Sequence, residues 1–178
     1  YQEMLQEVKP DLVSICTPNY LHYKPALDAM KAGAHVFIEK PMAMNSRECR
    51  NIIAAGRKLN RKISIGFQHR LEPRVQFISQ AVAEGRFGNI LQSRVYCHRR
   101  RGFPNWGVFG QKALQGGGCL IDIGVHALEM CWYTVGRPQP VAVSGNAWTY
   151  IGNDPKKAKD VACRWPGWDT ETFDVEDL

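Results

Sequence analysis

Short apolar segments that alternate with amphipathic ones constrain the fold of the first half of the chain more than any other feature. Residues 12–16, 35–38 and 62–67 are rich in apolar side chains, and each is followed by a stretch with apolar residues at helical spacing. Strands without polar alternation are buried on both faces, which is typical of a parallel sheet covered by helices. The sequence therefore predicts an α/β fold, in the order strand–helix–strand–helix–strand, with a further helix over 72–84.

The pattern changes beyond Gly88. Residues 89–99 and 141–151 have the alternating character of half-buried strands, and a long helix is predicted between them over residues 119–135. This change of pattern indicates a second domain of α+β type. The two predicted domains are residues 1–70 and residues 71–178.

The net charge of +6 is unevenly distributed along the chain. Residues 1–110 hold 17 Lys and Arg against 8 Asp and Glu, whereas residues 111–178 hold 6 against 9. A basic half is compatible with a nucleic-acid surface, for which the run His98–Arg101 beside Phe103 and Trp106 is the strongest candidate. It is equally compatible with a site for anionic cofactors or with an uneven cut through a larger protein. We expect no nucleic-acid partner.

The cysteines and the hydropathy pattern exclude several other classes. The 6 cysteines are widely spaced and form no Cys-x-x-Cys pair, so neither a zinc site nor a disulfide framework is predicted. No apolar stretch approaches the roughly 20 residues that span a bilayer. No charged-then-apolar leader opens the chain. We therefore expect a cytoplasmic protein with reduced thiols, no metal and no membrane partner.

Polar residues follow the first two predicted strands. Thr17–Asn19 comes directly after the first strand, with His22 three residues further on, and Glu39, Lys40 and Pro41 come after the second. In open α/β sheets, ligands bind at the carboxyl ends of the strands. Pro41 stiffens the turn that carries Lys40. Lys40 is therefore a candidate donor to a substrate hydroxyl or carbonyl, and the alternative is a surface salt bridge with Glu39.

Asp122 and His126 form a second candidate group within the predicted helix. They are four residues apart, so they share a helix face, and a carboxylate that orients an imidazole makes a general acid–base pair. Gly116–Gly118 precedes the helix and would let backbone approach a ligand closely. The alternatives are a helix-surface ion pair and a hydrogen-bonded core histidine.

Gly66–Arg70 follows the third predicted strand and is the third candidate group. Gln68 and Arg70 alternate with His69 along the chain, so either set can face the same cleft. The alternative is the ordinary polarity of a loop.

Taken in order, these segments resemble the glucose–fructose oxidoreductase/inositol dehydrogenase (Gfo/Idh/MocA) family. The matching residues are Thr17–Asn19, His22, Glu39–Pro41, Gly66–Arg70, Gly116–Gly118, Asp122, His126 and Val141–Gly145. The resemblance covers nearly the whole chain, and four motifs in the right order make it specific. It implies that residues 1–70 are part of a Rossmann domain that binds NAD or NADP. Residues 71–178 would be part of a substrate and oligomerisation domain with a mostly antiparallel sheet.

The resemblance also implies hydride transfer between a nicotinamide cofactor and a sugar, polyol or related hydroxyl-bearing substrate. Lys40 would hold and polarise the substrate oxygen, His126 would take the hydroxyl proton, and Asp122 would orient His126 or bind a substrate hydroxyl. Contacts with the cofactor are implied for Thr17, Pro18, Asn19, His22, Glu39, Lys40 and Gln68. A homo-oligomer, dimer or tetramer, is implied at full length.

The family's Gly-rich fingerprint and the residue that separates NAD from NADP are absent from these 178 residues. Phe173–Leu178 resembles the lead-in to a further strand. The chain is therefore expected to be a fragment that lacks both ends, binds dinucleotide poorly and is inactive by itself. Two alternatives within the family remain: an NAD-dependent glycosidase, and a non-catalytic ligand-sensing relative, which the presence of Lys40, Asp122 and His126 disfavours.

Overall fold

The structure is a computed structural model that describes residues 1–98, 107–160 and 169–178, with the backbone alone for 158–160. Three strands form one parallel sheet in the order β1–β2–β3. The strands are β1 (Leu12–Ile15), β2 (His35–Ile38) and β3 (Ile63–Ile65). The helices are α1 (Gln2–Glu7), α2 (Tyr23–Lys31), α3 (Ser46–Leu59), α4 (Pro73–Ala83), α5 (Lys112–Gln115), α6 (Val125–Thr134) and α7 (Pro155–Asp160). The predicted parallel α/β arrangement of the first half is confirmed.

The core of the first half lies between the sheet and helices α2 and α3. Val36 and Ile38 of β2 are almost completely buried, as are Met30 of α2 and Ile52 of α3. Val36 and Ile38 share the face of the central strand that this core covers, while His35 and Phe37 on its other face are half-buried. Burial of such side chains stabilises a fold by about 1.5–3 kcal/mol each.

Local signals in the sequence account for the ends of α3. Asn45 is its N-cap, and the Asn45 side chain accepts a hydrogen bond from the Glu48 backbone N–H at 3.0 Å. This contact satisfies one of the amides that the first turn of a helix leaves unpaired. The helix ends at Asn60, which adopts the left-handed conformation with a φ of 53°.

The second half of the described chain is helical rather than a sheet. Helix α4 packs against α6, and a π-helical turn (Leu120–Gly124) leads directly into α6. This continuous helix over residues 120–134 agrees with the predicted one. None of the helices in the described part of the chain is long and apolar enough to cross a membrane.

The two strands predicted for the second half do not form among the described residues. Residues 89–98 and 141–149 have no regular secondary structure, and Leu91, Val141 and Val143 are 94%, 97% and 99% exposed. A strand exists only where its backbone groups pair with those of a neighbour, and within the described residues no ladder covers either segment. The predicted antiparallel sheet is therefore not confirmed, and residue 99 lies outside the described residues.

Candidate active site

The polar residues that follow the three parallel strands lie at one edge of the sheet. The ladder continues one residue past the strands, because the Glu39 N–H donates to the Ile15 carbonyl at 3.0 Å and the Gly66 N–H donates to the Ile38 carbonyl at 2.8 Å. Gly66 leaves room for the Glu39 carboxylate: a Cβ at this position would lie 2.9 Å from Glu39 Oε2. The carboxyl ends of β2 and β3 therefore form one surface.

Lys40 joins this edge to the second half of the chain. Its Nζ donates to the Asp122 carbonyl oxygen at 2.5 Å and to Asp122 Oδ1 at 2.9 Å. The two side chains are 20% and 17% exposed, so the ion pair is largely shielded from water. Among the described residues, Lys40 forms its ion pair with Asp122 and not with Glu39, whose carboxylate accepts the Lys40 backbone N–H at 3.3 Å. The alternative interpretation, a surface salt bridge between Lys40 and Glu39, is therefore not observed among the described residues. Lys40 pairs instead with a residue 82 positions away.

His126 lies buried beside this pair. Its ring is in edge-to-face contact with Phe67 and His69, with centroid distances of 6.0 and 5.2 Å. Burial lowers the pKa of His126 below its ordinary value, and the positive charge of Lys40 lowers the pKa further. His126 Nδ1 is buried without a hydrogen-bond partner in the part of the chain that the structure describes. Because buried polar atoms are nearly always paired, the surroundings of Nδ1 are incomplete as they stand.

Asp122 does not orient His126 in this structure. Its Oδ1 accepts from Lys40, and among the described residues no hydrogen bond joins Asp122 to His126. The shared helix face predicted from the spacing assumed an α-helix, whereas residues 120–124 form a π-helical turn. A π-turn, which bonds residue i to i+5, still brings residues four apart to nearly the same face, but the Asp122 carboxylate is bonded to Lys40 instead. In this structure the carboxylate holds the lysine, and the expectation that Asp122 orients His126 or binds a substrate hydroxyl stays a prediction.

His22 lies beneath the edge rather than on it. It is fully buried, and its ring nitrogens lie 2.7 Å from the Pro41 carbonyl oxygen and 2.8 Å from the Thr17 carbonyl oxygen. Both nitrogens are thus occupied by the backbone. The contact ties the loop after β1 to the loop after β2, where the Lys40–Pro41 peptide is cis. In this structure His22 therefore ties the two loops together, and the contact with the cofactor that the resemblance implied stays a prediction.

The remaining residues implied in cofactor contacts differ in their exposure. Thr17, Pro18 and Gln68 are exposed and Glu39 is half-buried, so all four can be reached by a ligand at the strand ends. Asn19 is half-buried, and its Nδ2 donates to the Gln115 carbonyl oxygen at 2.8 Å, which fastens the loop after β1 to α5. No group of three or more metal-ligating side chains is present among the described residues.

The sequence reasoning missed Glu129. Its carboxylate, 8% exposed, lies on α6 three residues after His126 and accepts from Arg70 Nε at 2.5 Å. The Arg70 guanidinium also stacks over the Tyr133 ring at 5.0 Å from its centroid. The available signal was a single carboxylate within the otherwise apolar stretch from 125 to 134, since a buried charge requires a partner.

Two family models match the chain, one in each half. The model described as "Oxidoreductase family, NAD-binding Rossmann fold" covers residues 1–67. The model described as "GFO/IDH/MocA C-terminal domain" covers residues 75–171.

Curated relatives include two sugar-acting enzymes. D-glucoside 3-dehydrogenase of Escherichia coli (strain K12) is 41% identical over 177 residues, which are 99% of this chain and 49% of the relative. Levoglucosan dehydrogenase of Pseudarthrobacter phenanthrenivorans is 34% identical over 146 residues, 78% of this chain and 37% of the relative. The chain thus spans about half the length, or less, of these curated relatives.

Solved structures similar to this chain also include sugar-acting oxidoreductases. A levoglucosan dehydrogenase in complex with NADH and levoglucosan superposes with a TM-score of 0.68 at 32% identity, over 76% of this chain and 37% of that one. The aldose-aldose oxidoreductase of Caulobacter crescentus, complexed with glycerol, superposes with a TM-score of 0.64 at 31% identity, over 76% of this chain and 40% of that one.

Proposed function

Because the chain belongs to the GFO/IDH/MocA family of NAD-binding oxidoreductases, we propose that the protein transfers a hydride between a nicotinamide cofactor and a hydroxyl-bearing carbon of a sugar or polyol. One observation carries the proposal. The Lys40–Asp122 ion pair and the buried His126, with its unpartnered Nδ1, meet at the carboxyl edge of the parallel sheet. This edge is where open α/β sheets bind their ligands.

The residues present fit the nicotinamide end of a dinucleotide. Thr17, Pro18, Glu39 and Gln68 are the accessible groups at the strand ends that would line it, and Asn19 would contribute from its half-buried position. When bound, the nicotinamide ring supplies the hydride acceptor. These 178 residues contain no Gly-x-Gly-x-x-Gly motif, so no pyrophosphate contact is assigned to them.

The geometry supports the following roles for the three central side chains. His126 accepts the proton of the substrate hydroxyl, for which its lowered pKa keeps it neutral near pH 7. Lys40 donates a hydrogen bond to the same oxygen as negative charge develops on it. Asp122 holds the ammonium group of Lys40 in place through two contacts. Asp122 is therefore a positioning residue for the lysine.

The test is a steady-state assay of the full-length protein with NAD and a panel of glycosides, free sugars and polyols. We expect formation of reduced nicotinamide with at least one substrate. Lys40→Ala and His126→Ala should each lower kcat by about 10²-fold or more, the range of general acid–base contributions. A loss of less than about threefold at either position would contradict these roles.

The same assay separates the competing activities. Sugar release without accumulation of reduced nicotinamide would identify a glycosidase that uses the cofactor transiently. Binding of sugar without either reaction would identify a ligand-sensing protein. His98→Asn is a suitable control, because it removes an exposed imidazole beside Tyr96 and should leave kcat unchanged.

A further inference from the structure

The helix that carries Asp122 and His126 begins without a cap of its own. Cys119 occupies the N-cap position and its side chain makes no capping hydrogen bond. The first amides of a helix lack partners within the helix and require acceptors from elsewhere. Here Glu176 supplies them: the Cys119 N–H donates to the Glu176 carbonyl oxygen at 3.2 Å, and the Leu120 N–H donates to Glu176 Oε1 at 3.2 Å. A negative charge at this end of a helix is also favoured by the helix dipole.

The glycines before the helix make this approach possible. A Cβ at Gly118 would lie 1.8 Å from the Glu176 carbonyl oxygen, and one at Gly117 would lie 3.6 Å from the Glu176 carboxylate oxygens. Any side chain at Gly118 would therefore push the backbone of residue 176 away. The space beside these glycines, which the sequence suggested for a ligand, is filled by the backbone of residue 176.

The segment of residues 173–178 holds Glu176 in place from both sides. Phe173 and Val175 are 7% and 4% exposed. Asp174 Oδ1 accepts one backbone N–H at 2.6 Å, and the Asp177 carboxylate accepts three at 2.7–2.8 Å. The amides that donate to these two carboxylates belong to Lys112, Tyr150, Ile151 and Gly152. The acidic run is thus built into the second half through its carboxylates and is not a solvated tail.

A short series of contacts leads from Glu176 to Lys40. Glu176 binds the amides of Cys119 and Leu120, and the Asp122 N–H donates to the Gly118 carbonyl at 3.0 Å. Asp122 in turn holds Lys40 Nζ through its carbonyl oxygen and Oδ1. Loss of the Glu176 carboxylate would leave the backbone contact with Cys119 in place but would remove the acceptor of the Leu120 N–H, in the turn whose Asp122 supplies both acceptors of the lysine.

We propose that Glu176 is a positioning residue for the active site. It caps the start of the helix from a distant part of the same chain and thereby fixes Asp122 against Lys40. The expected effect on kcat rests on the proposed function, whereas the expected effect on the position of Asp122 against Lys40 does not. Misplacement of a catalytic group by about 1 Å costs up to about 10²-fold in rate. Glu176 touches no reacting atom, so its loss affects the rate through Lys40 and leaves substrate binding largely intact.

The kinetic test compares Glu176→Ala, Glu176→Gln and Glu171→Ala in the full-length protein. Glu171 is an exposed acid two residues before the segment 173–178, so Glu171→Ala is the matched control. We expect Glu176→Ala to lower kcat about tenfold with KM changed less than about twofold, since positioning and not binding is lost. Glu176→Gln keeps an oxygen acceptor for the Leu120 N–H and should recover most of the rate. Equal kcat in Glu176→Ala and Glu171→Ala would overturn the proposal, as would a purely KM effect.

A second readout needs neither cofactor nor substrate. The acetylation rate of Lys40 by acetic anhydride is measured by peptide mass spectrometry, since the contact with Asp122 shields Nζ from the reagent. Glu176→Ala should react at least about threefold faster than wild type, the factor expected for the loss of one net hydrogen bond. Glu171→Ala should react at the wild-type rate. An unchanged rate in Glu176→Ala would refute the positioning role even if hydride transfer is confirmed, and a raised rate would support it even if that activity is absent.

Discussion

The environment of His126 determines at which pH this residue can act as a base. Burial is the main cause that lowers its pKa, and the charges of Lys40 and His69 act in the same direction. The negative charges of Asp122 and Glu39 oppose them. His69 is itself in contact with the Glu72 carboxylate through Nδ1. The buried imidazole is thus kept neutral by its surroundings, as a general base requires.

We predict that the acidic limb of the kcat/KM profile lies below pH 6.5, the ordinary pKa of histidine. Only the neutral imidazole accepts a proton, so activity is fully present above the lowered pKa and is lost as the pH falls through it. His69→Asn removes one of the charges that lower the pKa of His126, so the limb should move to higher pH. The profile is measured from pH 5 to 9 with the reduced nicotinamide assay. An unmoved limb in His69→Asn, with His98→Asn as the control, would contradict this electrostatic coupling.

At the scale of elements, the sequence predicted the parallel sheet well because its signals are local. The apolar runs and the Asn45 cap depend only on neighbouring residues, and β2 has the predicted bounds. Two contacts could not be predicted in this way: the cap that Glu176 provides and the ion pair of Lys40 with Asp122. Both join residues more than 50 positions apart, and a single sequence gives no spacing rule for such contacts. The π-helical turn was missed for another reason, since its residues have the same periodicity signal as an α-helix.

The close contact at the start of the helix gives an element-scale prediction. Gly118→Ala should destabilise the protein by about 1–3 kcal/mol, the range for overpacking a filled site, because the new Cβ meets the backbone of Glu176. Gly145→Ala is the matched control, since a Cβ there has nothing within 4 Å. The free energy of unfolding is measured by urea denaturation for both variants. Equal stability of the two would show that residue 176 does not lie against Gly118.

At the scale of the whole molecule, polar contacts join the two halves that the family models match separately. Asn19 reaches α5, Lys40 reaches the π-helical turn, and Arg70 reaches Glu129 on α6. In the last of these, the Glu129 side chain is 8% exposed and the Arg70 side chain is 37% exposed. The proposed active site lies where these contacts meet, so its geometry depends on how firmly they hold the halves together. A double-mutant cycle isolates such a contribution from the effect of each single substitution.

We predict a coupling of about 1 kcal/mol or more between Arg70→Ala and Glu129→Ala, as is typical of shielded charge pairs in contact. Burial of the Glu129 carboxylate reduces screening by water, although the Arg70 side chain is 37% exposed, and the Arg70 guanidinium lies over the Tyr133 ring. The comparison is the Lys24–Asp28 pair on α2, whose lysine is 67% exposed, and its coupling should be clearly smaller. Both cycles are measured by urea denaturation of the full-length protein, with kcat recorded for each variant. If the contact also aligns the halves, Glu129→Ala should lower kcat while Asp28→Ala should not. Similar couplings for the two pairs would mean that the Arg70–Glu129 contact contributes no more than a surface ion pair, and that the halves are aligned by other contacts.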